Sequence, residues 1–289
     1  MPASRVFLST IGRPLDPADA AVPVLDRGFL FGDAVFETLR TAGGRPVAWT
    51  AHTERLRRSA AGIGLELPWS DAELRARVDA THADTGNADS LVRIVVTRGV
   101  GPLMLDPRQA VTPTLAVLAI PLDLPDEAGY VRGLRARIVD ITRVPATALD
   151  PAFKTANYLP NIQALRQALA AGDDEAILIN PAGVVAEGAT SNVFAVLQGV
   201  VYTPPVDTGI LPGITRAAVL DLAGKLGIPA QESALHPFDV RCAEEVFLTS
   251  SVRGPIAVTS VDGHPIASGT EGPLTARIRR AYAAALATF

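Results

Sequence analysis

Cysteine occurs once in these 289 residues, and lysine and methionine twice each. The lone Cys242 cannot form an internal disulfide, which fits a reducing cytoplasm; without a neighbouring histidine it reads as structural rather than nucleophilic. No run approaches the roughly 18 apolar residues needed to cross a bilayer, and MPASRVFLST lacks the apolar core of a signal peptide, so a soluble cytoplasmic chain with no membrane partner is expected. The net charge is only −4 and the arginines are scattered among acids, which removes the electrostatic case for nucleic acid. There is no GxGxxG after a strand, no P-loop and no HExxH, and His52, His82, His236 and His264 show no metal spacing, so no metal is expected. What is present is 48% apolar and 19% charged residues, a globular composition long enough for two moderate domains, each with a core.

Lysine is the informative scarcity. Of 26 basic residues only Lys154 and Lys225 are lysine, leaving 24 arginines, so wherever a cation merely has to face water this chain uses arginine. Lys225 closes the helical pattern ITRAAVLDLAGKLGI before Gly227, where a cation meets the negative end of the helix dipole. Lys154 lies instead in DPAFKTANYLPNIQAL, between Phe153 and a turn into a helix, where burial would make its amine a nucleophile able to form a Schiff base, as a guanidinium cannot. Thirty-three residues on, VVAEGATSNVFAV sets Glu187 in an apolar run before a turn of small residues that lets backbone approach a ligand. A carboxylate there needs a partner, and a protonated pyridine nitrogen is one candidate.

Taken in order, FKTANYLPNIQAL, EGATSNVF and GILPGITR resemble the pyridoxal-phosphate enzymes of fold type IV, which include branched-chain and D-amino acid aminotransferases and aminodeoxychorismate lyases. The resemblance implies an α+β (mixed α/β) fold of two domains with pyridoxal 5'-phosphate between them. It makes Lys154 the catalytic Schiff-base residue, with Glu187 on the pyridine nitrogen, Tyr158 on the ring hydroxyl and Leu211 against the ring. For the phosphate it implies Gly213, Ile214, Thr215, Ser250 and Ser251, together with Arg55 of the HxxRL pattern. Phe31 and Phe36 would line the substrate site, and a homodimer is implied.

Residues 1–120 are expected to form a small α/β domain, 121–129 a linker around Pro121 and Pro125, and 130–289 a larger cofactor-binding domain. Strands are expected at 5–8 and 46–49, with Gly43-Gly44 closing a hairpin. Alternation in FGDAVFETL places Val35 on one face and Phe36 and Thr38 on the other. The helix over NIQALRQALAAG should turn Ile162, Leu165 and Leu169 inward, and the closing helix PLTARIRRAYAAALATF reads as packing only. Arg93 interrupts the apolar strand SLVRIVV, where a charge must point to water at an edge or toward a charged ligand, and Arg253 follows TSSV; neither has a sequence-local acid. The resemblance implies a substrate carboxylate for Arg93, on which Arg253 is expected to converge, the other outcome for each being solvent.

The activity implied is transfer of an amino group between an amino acid and a 2-oxo acid. The alternative is an aminodeoxychorismate lyase, releasing 4-aminobenzoate and pyruvate. VDTGIL and the TSSV run suit the lyase; Val-Gly-Pro-Leu after Thr97-Arg98-Gly99 does not. Leu103 and Leu105 stand where D-amino acid enzymes of the best-known type carry Arg and His, and Phe36-Glu37-Thr38 stands where branched-chain enzymes have FEG.

Overall fold

The computed structural model describes residues 3–110 and 112–289, apart from the side chain of Ala287. The chain divides into two compact units, one running to Asp123 with Phe153–Asn157 added, the other Leu124–Ala152 with Tyr158–Thr288. Lys154 therefore belongs with the amino-terminal unit, where a division of the sequence at 121–129 would not put it.

In the first unit strands β1 (Arg5–Leu8), β2 (Pro14–Leu15), β3 (Ala34–Ala42), β4 (Arg45–Pro46), β5 (Ser90–Thr97) and β6 (Thr114–Pro121) form one sheet in the order β2-β1-β6-β5-β3-β4, and its pairings are antiparallel. Gly43 and Gly44, at φ +57° and +73°, make the two-residue β3–β4 turn, since both central positions of such a turn need the left-handed region. The expected strand at 46–49 stops at Pro46, because helix α2 begins at Trp49. Helices α1 (Arg27–Phe31), α2 (Trp49–Gly62) and α3 (Asp71–Thr85) complete the unit, the last started by a reciprocal Ser70–Glu73 capping box. Leu56 of α2 and Leu74 and Val78 of α3 pack on Val35, Leu39, Val92, Ile94 and Val96, so alternate residues of β3 and β5 face the helices and the residues between them, Arg93 included, face away. The segment Phe153–Asn157 runs along β3: Phe36 N–H donates to the Lys154 carbonyl at 3.0 Å and Ala156 N–H to the Ala34 carbonyl at 2.9 Å.

The second unit contains α4 (Glu127–Arg132), β7 (Leu134–Thr142), α5 (Leu159–Ala170), β8 (Glu175–Ile179), β9 (Val185–Gly188), β10 (Asn192–Leu197), β11 (Val200–Thr203), α6 (Ile214–Lys225), β12 (Ala230–Glu232), α7 (Pro237–Arg241), β13 (Glu245–Ser250), β14 (Gly254–Val261), β15 (His264–Pro265) and α8 (Pro273–Ala285). The stretch expected as a linker thus already includes the start of α4. Its sheet runs β12-β11-β10-β13-β14-β7-β8-β9, and β9 also pairs β10 through Glu187 and Asn192, closing a six-stranded ring. Val193, Ala195, Val246, Leu248 and Ile256 fill one side of these strands. Phe194 and Phe247, stacked at 4.7 Å, pack the other side with Val219 of α6 and Ile278 of α8. Burial on both faces explains why residues 246–248 (VFL) and 193–197 (VFAVL) are continuous apolar runs rather than alternating ones.

Helix α5 turns Leu165 inward as expected, against the cluster of Val139, Ala176 and Leu178, but not Ile162 or Leu169. Its buried residues are Asn161, Ala164 and Ala168, while Ile162 and Leu169 are more than half exposed. Small side chains let α5 lie close on β7 and β8, and Asn161 is satisfied by donating to the Ala189 carbonyl at 2.8 Å.

Candidate active site

In the first unit Lys154 is held by its backbone on both sides. Its N–H donates to Ser59 Oγ at 2.9 Å and its carbonyl accepts from Phe36. Its Nζ lies 4.6 Å from the centroid of the Phe36 ring, and the Arg93 guanidinium lies 3.8 Å from the same centroid. The lysine is half-buried, so full burial is not what it has. Arg93 sits directly opposite Thr38 in register, on a central strand. The water-facing edge that could have explained a charge in this strand is thus excluded. Thr38 Oγ1 is buried without a hydrogen-bond partner among the described residues. Phe31, by contrast, ends α1 with the Arg27 guanidinium 5.1 Å from its ring centroid.

Arg55, expected on phosphate, is buried and clamped by a carboxylate that the sequence did not single out. Its Nε and Nη2 donate to the two oxygens of Glu37 at 2.7 and 2.8 Å, and His52 Nδ1 lies 2.7 Å from Glu37 Oε2. Burial pushes the Glu37 carboxyl up, but Arg55 and His52 prevail and hold it down to about 2. Burial lowers the His52 pKa, against the pull of Glu37. HxxRL contained the signal: His52 and Arg55, three apart on α2, share one helix face.

In the second unit Glu187 is buried on β9. Its Oε1 lies 2.8 Å from Arg143 Nε, and its Oε2 accepts the Leu211 N–H at 2.9 Å. Arg143 Nε has no well-directed hydrogen-bond partner among the described residues, so the contact with Glu187 is an ion pair rather than an aligned hydrogen bond. Arg143 follows a strand that already carries Arg135, Arg137 and Asp140, so nothing in the sequence set it apart. Tyr158 stands at the N-cap of α5.

Gly213 is the N-cap of α6, whose first turn holds Ile214 and the buried Thr215 and takes no side-chain cap. Asn192 forces glycine there, because a Cβ at 213 would meet Asn192 Oδ1 at 1.9 Å. The uncapped N–H groups, the dipole and the Thr215 hydroxyl can bind an anion. Ser250 Oγ accepts the Arg253 N–H at 3.3 Å, and the oxygens of Ser191 and Thr249 are buried without partners among the described residues. Arg253 does have an acidic neighbour, distant in sequence: its Nη2 lies 3.6 Å from Glu175 Oε2. Burial raises the Glu175 pKa against the pull of Arg253.

The sequence profile of the family described as amino-transferase class IV matches residues 34–261. The chain belongs to the class IV aminotransferases. A D-alanine aminotransferase of Bacillus licheniformis is 37% identical over 93% of this chain and 93% of its own length. A crystal structure of a branched-chain aminotransferase from Thermoproteus uzoniensis with norvaline superposes with a TM-score of 0.89 at 34% identity, covering 98% of this chain and 94% of that one. A further branched-chain amino acid aminotransferase, complexed with N-(5'-phosphopyridoxyl)-L-glutamate and designated T.th. by source, gives 0.91 at 29% identity, covering 99% and 95%. The fold is that of the fold type IV aminotransferases, and the chain is a transaminase by family. None of these three is named a lyase, so the lyase alternative gains no support from them.

Proposed function

We propose that this aminotransferase uses pyridoxal 5'-phosphate to move an amino group between an amino acid and a 2-oxo acid, with Lys154 as the residue that holds the cofactor and transfers the proton. The observation that carries the reading is the seating of Lys154: both backbone groups are tied to the first unit, and the amine lies over the Phe36 ring, which the Arg93 guanidinium also contacts. The residues fit the cofactor's chemistry. Thr249 Oγ1 and Ser191 Oγ are buried hydroxyls with no partner among the described residues, and the start of α6 offers uncapped N–H groups to an anion. One solved relative is itself a complex with a phosphopyridoxyl group.

When bound, pyridoxal phosphate supplies a sink for the electron pair left at the substrate Cα. Glu187, oriented by Arg143 and the Leu211 N–H, would hold the ring nitrogen in its protonated form, and Tyr158 would bond the ring hydroxyl. Gly213, Ile214, Thr215, Ser250 and Ser251 would hold the phosphate; Arg55 is a weaker candidate for it, because Glu37 already holds two of its donors. Leu211 would bound the ring, and Phe31 and Phe36 the substrate. Lys154 Nζ would take the Cα proton as general base and return it as acid. Arg93, unable to reach an edge, would meet the substrate carboxylate. Arg253 is a weaker candidate for that role, because Glu175 already neutralises it.

A homodimer is part of this reading. Phe29, Leu103 and Leu105 are each more than 70% exposed, on segments joined by the Arg27 N–H to the Gly99 carbonyl and by the Arg27 guanidinium to the Met104 and Leu105 carbonyls. A rigid, exposed apolar surface of this kind suits a second copy, and sedimentation of the full chain at monomer mass would refute it. The reading of the site is tested by visible absorbance. The purified chain supplied with pyridoxal phosphate should turn yellow and be fixed by borohydride. Lys154→Ala should abolish the adduct, while Lys225→Ala should not, since Lys225 is an exposed partner of Asp221 at 2.6 Å. A reducible adduct persisting in Lys154→Ala would sink the assignment.

A further inference from the structure

The closing helix α8 reads in sequence as packing alone, yet one of its residues touches both turns assigned to the phosphate. Tyr282 is buried, and its hydroxyl lies 3.4 Å from Thr215 Oγ1 in the first turn of α6. Its ring lies against Gly254, the residue that ends the Ser250–Gly254 turn. A Cβ built on Gly254 would meet Tyr282 Cδ1 and Cε1 at 2.9 Å, and the backbone there has φ +69°. Any side chain at 254 would therefore meet both backbone strain and the ring; glycine is what lets the ring close on the turn.

We propose that Tyr282 is a positioning residue of the phosphate site, setting the Ser250–Gly254 turn with its ring and aiming the Thr215 hydroxyl with its own. The inference rests on the phosphate role proposed for Thr215. A threonine hydroxyl has one hydrogen and two lone pairs, and Thr215 is too buried for water to satisfy them. When Tyr282 donates into a lone pair of Thr215 Oγ1, the Thr215 hydrogen is left to donate to an anion, and each bond polarises the next. At 3.4 Å the hydroxyl contact is long, so its worth lies in orientation more than in stability.

The same helix holds the turn at a second point. Tyr130 of α4 donates its hydroxyl to the Arg253 carbonyl at 2.8 Å. The Arg279 guanidinium lies 4.9 Å from the Tyr130 ring centroid and is itself fixed by Glu127 and Glu271 at 2.7 and 2.6 Å. Arg279 and Tyr282 are three residues apart and so share a helix face. That face braces the turn through the Arg253 carbonyl and through Gly254.

The test is equilibrium binding of pyridoxal phosphate, and of pyridoxal, which lacks the phosphate, to the full chain and to Tyr282→Phe, read by visible absorbance and by the ³¹P resonance of the bound cofactor. The variant should bind pyridoxal phosphate about three- to tenfold more weakly, the range expected for one hydrogen bond, and shift the ³¹P resonance. Its affinity for pyridoxal and its apoprotein thermal midpoint should match the parent's. Equal affinity of variant and parent for pyridoxal phosphate would overturn the inference alone, as would a parallel loss for pyridoxal, which would mark a purely structural tyrosine. A parent chain that takes up neither compound would overturn the proposed function and this inference with it.

Discussion

Glu37→Gln should be costly in a way that can be worked out from the geometry. The parent carboxylate is fully buried and accepts two bonds from Arg55, with His52 Nδ1 against the same oxygen as one of them. A glutamine keeps the shape but brings no charge and places an NH₂ against donors, leaving the buried Arg55 guanidinium unneutralised; breaking a buried pair in this way costs about 3–5 kcal/mol. The pH dependence gives an independent figure. Glu37 is depressed from 4.5 to about 2, and at about 1.36 kcal/mol per unit this is about 3 kcal/mol of stability. Because the folded value is the lower one, that stability is complete above the unfolded value and is lost as pH falls from about 5 towards 2. His52 is depressed too, so its neutral form belongs to the folded state, and its contribution declines as pH falls below its ordinary value of 6.5. Both tryptophans, Trp49 and Trp69, lie in this unit, and Trp49 begins the helix that carries His52 and Arg55. Urea unfolding followed by tryptophan fluorescence therefore reads the affected region. The parent should weaken steadily from pH 6.5 to 3, and Glu37→Gln should be weaker at pH 7 with a flatter acid limb. Equal urea midpoints for parent and variant at pH 7 would show that the triad does not hold this unit together.

Glu187→Gln can keep its bond from the Leu211 N–H or face Arg143 with an oxygen, but not both. It should lose about 1.5–3 kcal/mol of stability by urea unfolding and slow the single-turnover half-reaction; unchanged values of both would refute its role. Arg93→Ala should weaken amino-acid substrates roughly tenfold to a hundredfold while sparing a primary amine without a carboxylate; equal losses for the two would make Arg93 structural. Arg253→Ala should instead leave Glu175 buried without its cation, and urea unfolding should show a loss of stability larger than any change in substrate selectivity.

What the sequence made legible was local. The Gly43-Gly44 turn, the alternation of β3 and the helix starting after Gly213 each depend on neighbours within a few residues, and the structure contains them as read. The charge partners were out of reach. Glu37 and Arg55 are 18 residues apart, and Arg143 and Glu187, or Glu175 and Arg253, are further apart still, so which acid meets which arginine depends on strand order. On α5 Leu165 faces the core as expected, and Ile162 and Leu169 do not, for a different reason. Hydrophobic periodicity weighs Ile162 and Leu169 above Ala164 and Ala168, but close approach of a helix to a sheet selects for small volume, and large aliphatics are left for another surface to cover.

Strand β3 shows why the lysine had to be found with its surroundings. Val35, Glu37 and Leu39 point to the helix side, where Glu37 fixes Arg55 and His52; Phe36 and Thr38 point to the other side, where Phe36 meets Arg93 and Lys154. Because side chains alternate strictly along a strand, slipping β3 by one residue would bring Phe36 into the charged cluster and Glu37 onto Arg93 and Lys154. The buried triad and the seat of the amine are thus fixed by a single register. The pairing of Phe36 N–H with the Lys154 carbonyl ties the lysine's own backbone to that register. An arginine at 154 could occupy the same backbone, but its guanidinium stays protonated and has no nucleophilic amine to offer. In a chain with 24 arginines and two lysines, that chemical difference is what the role proposed for Lys154 requires.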